Sequence, residues 1–190
     1  MKIMEEGFIK VPGGKVWFRI AGASASSLPL LVVHGGPGAP HDYLESLEAL
    51  SAKRPVIFYD QLGCGNSETP EDLSLFTLSR FVEELSLLRK ALGLTRLHIL
   101  GQSWGSMLVV EYMLTRKPEG VASLVFSGPC LSAQRFITDQ RQYLSAFPDS
   151  LRRIINRSEA TGEFASQAYQ DAMKSITELM YAALTHGRKA

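Results

Sequence analysis

Cysteine is scarce in this chain of 190 residues: Cys64 and Cys130 are the only two. Two thiols build neither a disulfide framework nor a metal cluster, so no metal site is expected. An excess of one charge is lacking too. The net charge of +1 offers no basic face to a nucleic acid and none to an anionic membrane. No apolar run approaches the length of a membrane span. The opening Met-Lys-Ile-Met-Glu-Glu turns acidic at once and lacks the apolar stretch of a secretion signal. The expectation is a soluble, cytoplasmic protein. What the chain does have is hydrophobic residues, 45 % of the total. That is enough for one domain with a real core.

The apolar residues fall into two periods. Phe8–Val11 and Lys15–Ile20 flank a Pro-Gly-Gly turn at residues 12–14 and read as a hairpin. Leu28–Val33, Pro55–Tyr59, Leu97–Leu100 and Val121–Phe126 are continuous apolar runs, the mark of strands buried on both faces. Between them the period becomes helical. Leu78, Phe81, Val82, Leu85, Leu88 and Leu92 recur at spacings of three and four, with Thr77 placed as N-cap and Gly93 as the left-handed residue that ends the helix. Ser106–Arg116 is a second helical run. Strands alternating with helices predict an α/β fold: a mostly parallel sheet with helices on both faces. After Leu131 the buried-strand runs stop. Arg135–Phe147, Ser150–Ser158 and Ser166–Leu184 read as helices, broken at Pro148-Asp149 and Thr161-Gly162. The chain therefore divides into residues 1–130, a sheet-based core, and residues 131–190, a helical layer.

Three glycine-rich segments stand where predicted strands end. Gly101-Gln102-Ser103-Trp104-Gly105 lies between a strand and a helix. This pattern and context make a sharp turn that exposes a serine hydroxyl at the carboxyl edge of a sheet, with glycines where a Cβ would clash. Ser103 is the candidate nucleophile. His34-Gly35-Gly36-Pro37-Gly38 follows the strand ending at Val33 and bares backbone N–H groups at the same edge. No Lys-Ser/Thr follows it, which excludes a phosphate-binding P-loop. The N–H groups of Gly36 and Trp104 are the candidate oxyanion donors, each worth roughly 2.7–4 kcal/mol in a preorganised site. His34, Gly35, Pro37 and Gly38 complete the active-site loop. Asp60-Gln61-Leu62-Gly63-Cys64-Gly65-Asn66-Ser67 follows the strand ending at Tyr59. It reads as a tight structural turn whose backbone Asp60 and Ser67 could hydrogen-bond. Cys64 is not favoured as a nucleophile, and Cys130 reads as a small packed residue. Four histidines are available. His98 reads as a core residue inside a strand, His34 as a holder of its loop and His41 as the surface start of a helix. His186 stands far from any strand or glycine motif, and none of the four is assigned as a catalytic base.

His-Gly-Gly-Pro-Gly, Asp-Gln-x-Gly-x-Gly-x-Ser and Gly-Gln-Ser-Trp-Gly, in that order, closely resemble the proline iminopeptidases among the α/β-hydrolases. The resemblance runs from about Phe8 to Met173. It implies an α/β-hydrolase fold and a serine peptidase that releases an N-terminal residue, often proline, from short peptides or aminoacyl amides. No cofactor is implied. Ser103 argues against the related dehalogenases and epoxide hydrolases, which carry Asp at that position. In the family the triad Asp and His follow the helical cap, whereas this chain ends at Ala190, inside it. The expectation is a chain truncated within the cap, lacking both residues and with its activity in question. A non-catalytic protein of the same fold, or an amidase or esterase, are the alternative readings.

The last residues, 174–190, depart from the resemblance. The family continues through something like Val-Cys-Arg-Leu-Asp-Pro-Trp-Pro. When the codons from Met180 to Arg188 are regrouped by one base, with only wobble positions free, they can spell that same octapeptide. A one-base frameshift near codon 174 accounts for this, and a naturally short homologue with its own tail is the alternative. Genomic sequence without the Asp and Gly-His motifs in the other frame would exclude the frameshift.

Overall fold

The computed structural model describes residues 4–22 and 27–186. They form two compact units, residues 1–132 and residues 133–190.

The first unit is built on a six-stranded sheet. Its strands are β1 (Met4–Val11), β2 (Gly14–Ala21), β3 (Leu30–Val33), β4 (Val56–Tyr59), β5 (Leu97–Gln102) and β6 (Val121–Ser127). The spatial order is β1-β2-β4-β3-β5-β6. β1 and β2 form the expected hairpin, with Val11 paired to Gly14, so the loop is only Pro12 and Gly13. β2 also pairs antiparallel with β4. β3 runs parallel to β4 and β5, and β5 runs parallel to β6. The mixed sheet is thus parallel over its central and last strands.

In β3 and β4 the continuous apolar runs are explained by burial on both faces. Val121–Phe126, expected to be buried in the same way, is not, because among the described residues β6 has a neighbour on one side only. Within β3, Leu31 and Val33 point into one cluster with Ile57, Tyr59, Leu85, Leu88 and Leu108. Leu30 and Val32 point into the opposite cluster with Val56, Phe58 and Trp17. Helices α1 (Leu78–Ala91) and α2 (Trp104–Arg116) cover the first face. A 3₁₀ helix over His41–Ala52 covers the second with Leu44 and Leu47. α1 keeps its expected ends. The Thr77 side chain accepts from the Arg80 N–H at 3.3 Å, and Gly93 takes φ +61° just past the helix. The last strand, β6, is half-exposed along its length and is the edge of the sheet among the described residues.

The second unit holds α3 (Ala133–Ser145), α4 (Asp149–Thr161) and α5 (Gln167–His186). Pro148 precedes α4, and Gly162 ends it at φ +73°. Ile155, Ala172 and Ile176 form its small core, against which Leu144, Phe147 and Tyr169 pack. α5 passes through residue 174 as one helix. Among the described residues no helix is long and apolar enough to cross a membrane.

Candidate functional site

The chain turns sharply between β5 and α2, and Ser103 is the turn. Its φ of 50° and ψ of −118° lie outside the ordinary regions for a residue with a Cβ. The surroundings force this conformation. The Ser103 N–H donates to the Ser127 carbonyl at 3.0 Å, at the end of the β5–β6 ladder. Its own carbonyl accepts the Ser106 N–H at 2.9 Å and the buried Ser106 hydroxyl. Ser106 Oγ in turn accepts the Cys130 N–H at 2.9 Å, tying the helix start to the segment after β6.

Both flanking glycines are compelled by contact. A Cβ on Gly101 would stand 2.8 Å from the Gly105 carbonyl oxygen and the Ser106 Cα. One on Gly105 would stand 2.2 Å from the Val33 carbonyl oxygen and 2.6 Å from that of His34. The helix therefore starts directly against the end of β3, where the His34–Gly38 loop begins.

That loop is docked on the elbow. A Cβ at Gly35 would meet Gln102 Oε1 at 2.3 Å. The Gly35 N–H donates to the Tyr43 hydroxyl at 2.7 Å, and that hydroxyl donates to Gln102 Oε1 at 2.7 Å. Gly36 takes φ +119° and is followed by a cis peptide to Pro37. A Cβ there would strike the Gly38 nitrogen at 2.5 Å.

His34 is fully buried, and it holds its loop as expected. Its Nδ1 donates to the Gly35 carbonyl at 2.9 Å, and its Nε2 accepts the Gln61 N–H at 2.9 Å. These partners fit the neutral ring with its proton on Nδ1. Burial pushes the His34 pKa below its ordinary value and outweighs the opposing pulls of the Gly35 carbonyl and Asp60. Protonation would destroy the acceptor that the Gln61 N–H uses.

The turn after β4 is structural, as its composition predicts, and Asp60 is its hub. Asp60 Oδ1 accepts the His41 N–H at 2.9 Å and His41 Nδ1 at 2.8 Å. Oδ2 accepts the Asn66 N–H at 2.9 Å, and the Asp60 carbonyl accepts the Ser67 hydroxyl. Burial alone would raise this carboxyl, but the bonds from His41 and Asn66 hold it below the usual range. Cys64 is buried, its Sγ is bonded to the Gln61 carbonyl at 3.0 Å, and burial pushes its pKa up to about 12. Such a thiol is not a nucleophile near neutrality.

Two histidine placements differ from expectation. His41 does begin a helix, but it is buried and stacked on Trp17 with ring centroids 4.5 Å apart, not on the surface. Its bond to Asp60 spans 19 positions, so no local pattern marks it. His98 is only half-buried, because β5 lies beside the edge strand, and its Nδ1 is 2.7 Å from Ser123 Oγ. The ring of His186 lies outside the described residues. Sequence reasoning also missed a buried ion pair on α1, Arg80 with Glu84, whose carboxylate accepts the Leu62 N–H at 3.2 Å and braces the same turn. The i,i+4 spacing was the available signal. A pocket of about 300 Å³ lies beside Trp104, lined in part by Pro37, Gly38, Leu62 and Phe81.

A stability test follows from His34. A histidine with a lowered folded pKa contributes fully above its unfolded value, near 6.5, and that contribution drains away as pH falls toward the folded pKa. Urea midpoints are expected to drop between about pH 7 and about pH 5. His34→Gln should shrink that slope. Equal slopes in the two proteins would refute the assignment.

A strand, a tight turn centred on a serine with positive φ, and a helix packed on a glycine loop at the same sheet edge define a fold. Residues 29–166 match the family model described as the alpha/beta hydrolase fold. The chain belongs to this family. Within the α/β-hydrolases it is similar to proline iminopeptidases. It is 47 % identical to that of Heyndrickxia coagulans over 169 residues, which is 89 % of this chain and 58 % of the relative. It is 40 % identical to that of Clostridium botulinum, over 90 % of this chain and 59 % of the relative. The crystal structure of the Mycobacterium smegmatis proline iminopeptidase superposes with a TM-score of 0.75 at 32 % identity, covering 90 % of this chain and 59 % of that one. The chain thus spans a little under three fifths of the length of these two curated relatives.

Proposed function

We propose that this α/β-hydrolase chain carries the nucleophile and oxyanion portion of a serine hydrolase of the proline iminopeptidase type. The observation that carries the reading is Ser103, held at φ 50° between two glycines that admit no side chain, with the His34–Gly38 loop docked beside it. Strain of this kind persists only where surrounding structure over-determines it, and it concentrates at reactive sites.

In the proposed reaction the Ser103 hydroxyl attacks the acyl carbon of the substrate's N-terminal residue. A histidine takes the serine proton and later gives it to the leaving amine. The N–H groups of Gly36 and Trp104 receive the developing oxyanion. The Gly35 N–H is already bonded to Tyr43, so Gly36 is the next donor along the loop. Trp104 is the first residue of α2, where backbone N–H groups lack helical acceptors and the dipole favours negative charge. Water then releases the acyl group. The substrates proposed are short peptides or aminoacyl amides, with proline a favoured first residue. His34, His41 and His98 are each engaged elsewhere, so the described side chains supply no base to Ser103.

Labelling with a fluorophosphonate tests the reading. With no described base beside it, Ser103 is expected to be modified far more slowly than an activated triad serine, and Ser103→Ala is expected to abolish that modification. Mass spectrometry locates the adduct. An unlabelled chain would support a non-catalytic protein of the same fold. Turnover of simple esters without turnover of proline anilide would move the reading to an esterase.

A further inference from the structure

Gln61 joins all three glycine-rich segments and is 1 % exposed. Its backbone N–H donates to His34 Nε2 at 2.9 Å. Its side-chain NH₂ donates to the His34 carbonyl at 3.0 Å, the peptide that opens the Gly35–Gly38 loop. Its Oε1 accepts the Trp104 indole N–H at 3.1 Å, on the residue that follows Ser103. One planar amide therefore has its donor end on the loop and its acceptor end on the elbow helix.

The chemistry of the two ends fixes the residue type. A carbonyl demands a donor and an indole N–H demands an acceptor, so the amide cannot be flipped without setting like against like. Glutamate would keep the acceptor and lose the donor. Methionine, of similar length, would lose both. The backbone bond to His34 survives any side-chain change, so the side chain's work is separable from that of the turn.

We propose that the Gln61 side chain is a positioning residue that fixes the separation of the Gly36 and Trp104 N–H groups. The inference rests on the reading of those two groups as oxyanion donors. Donors aimed at a developing charge act only when held in place beforehand. The loop and the elbow come from different strands, β3 and β5, and the amide of Gln61, after β4, bridges them. Its side-chain bonds go to the His34 carbonyl and the Trp104 indole, so it acts through the two segments that carry the donors.

Hydrogen exchange read by mass spectrometry tests this on the whole chain. In Gln61→Met, the segments 34–38 and 103–106 are expected to exchange about tenfold faster together, while the amides of β3 and β5 hold. Ser67→Ala cuts other bonds of the same turn, to the Trp17 N–H and the Asp60 carbonyl, and should leave both segments within about twofold of wild type. Trp104→Phe keeps an aromatic ring but removes the indole N–H along with part of the ring, and should quicken exchange in the 34–38 loop from a distance. An unchanged loop in both Gln61→Met and Trp104→Phe overturns the proposal, as does loosening spread evenly over the sheet. Fluorophosphonate kinetics give the chemical readout: in Gln61→Met the maximal labelling rate falls about tenfold or more at unchanged half-saturation. A wild-type chain that never labels sinks the hydrolase reading, and the exchange pattern still decides the coupling.

Discussion

Gly105→Ala is expected to cost about 3 kcal/mol or more, a larger loss than any alanine should cause inside a helix. Gly105 is the second residue of α2, and alanine there would ordinarily gain about 1 kcal/mol over glycine. The sign reverses because of what the new Cβ meets. It would stand 2.2 Å from the Val33 oxygen and 2.6 Å from the His34 oxygen. Both are backbone atoms, and β3 is hydrogen-bonded to β4 on one side and β5 on the other. Relief therefore requires moving the helix, which would drag Ser103 off its turn. Gly93→Ala is the comparison. Nothing lies within 4 Å of a Cβ there, so only the φ of +61° is strained. That variant should lose only about 1–2 kcal/mol. Urea denaturation of the three proteins measures both. Equal losses at Gly105 and Gly93 would mean that the close approach of helix to strand is absent in solution.

The same contact shows how far the sequence could be read. β3 and β4 were legible because a strand buried on two faces must be apolar at every position. β6 shows the same kind of apolar run although it is a half-exposed edge, so the run marked the strand but not its burial. α1 was legible to within a residue because Thr77 and Gly93 mark its ends chemically. The glycines at 101 and 105 announced a crowded turn, though not that the crowding atoms belong to β3. Partnerships across the fold were not legible. His41 meets Asp60, Tyr43 meets Gly35 and Gln102, and Gln61 meets Trp104, each between separate elements. A buried polar side chain looks like a surface one in sequence when its partner lies 19 or 43 positions away. Arg80 and Glu84 illustrate the cost. On a helical wheel they resemble a solvated pair, yet both are buried and brace the turn that carries Gln61. The sequence marked the glycine-rich turns more readily than the contacts that hold them in place.

The 190 residues alone are expected to turn over proline anilide roughly 10⁶-fold more slowly than the Heyndrickxia coagulans proline iminopeptidase, the loss seen when a member of a catalytic triad is removed. That is about 8 kcal/mol of barrier. The argument is one of occupancy. His34 has both ring nitrogens engaged, with the Gly35 carbonyl and the Gln61 N–H, and burial keeps it neutral. His41 is bonded to a buried Asp60, and His98 meets Ser123 on the sheet. A serine hydroxyl with no base stays protonated near neutrality and attacks poorly. The proposed oxyanion donors alone would retain about 10³–10⁴-fold over water. Loss of the base already costs about as much as loss of the whole triad, so Ser103→Ala is expected to leave that residual turnover unchanged. The decisive measurement is a side-by-side kcat/KM with proline anilide under one set of conditions. Turnover within about 100-fold of the relative, dependent on Ser103, would overturn the expectation, because so small a deficit leaves no room for a missing base. It would place a working base within these residues. His186→Ala would then be the first variant to make, since His186 is the one histidine whose ring is not already accounted for by a described bond.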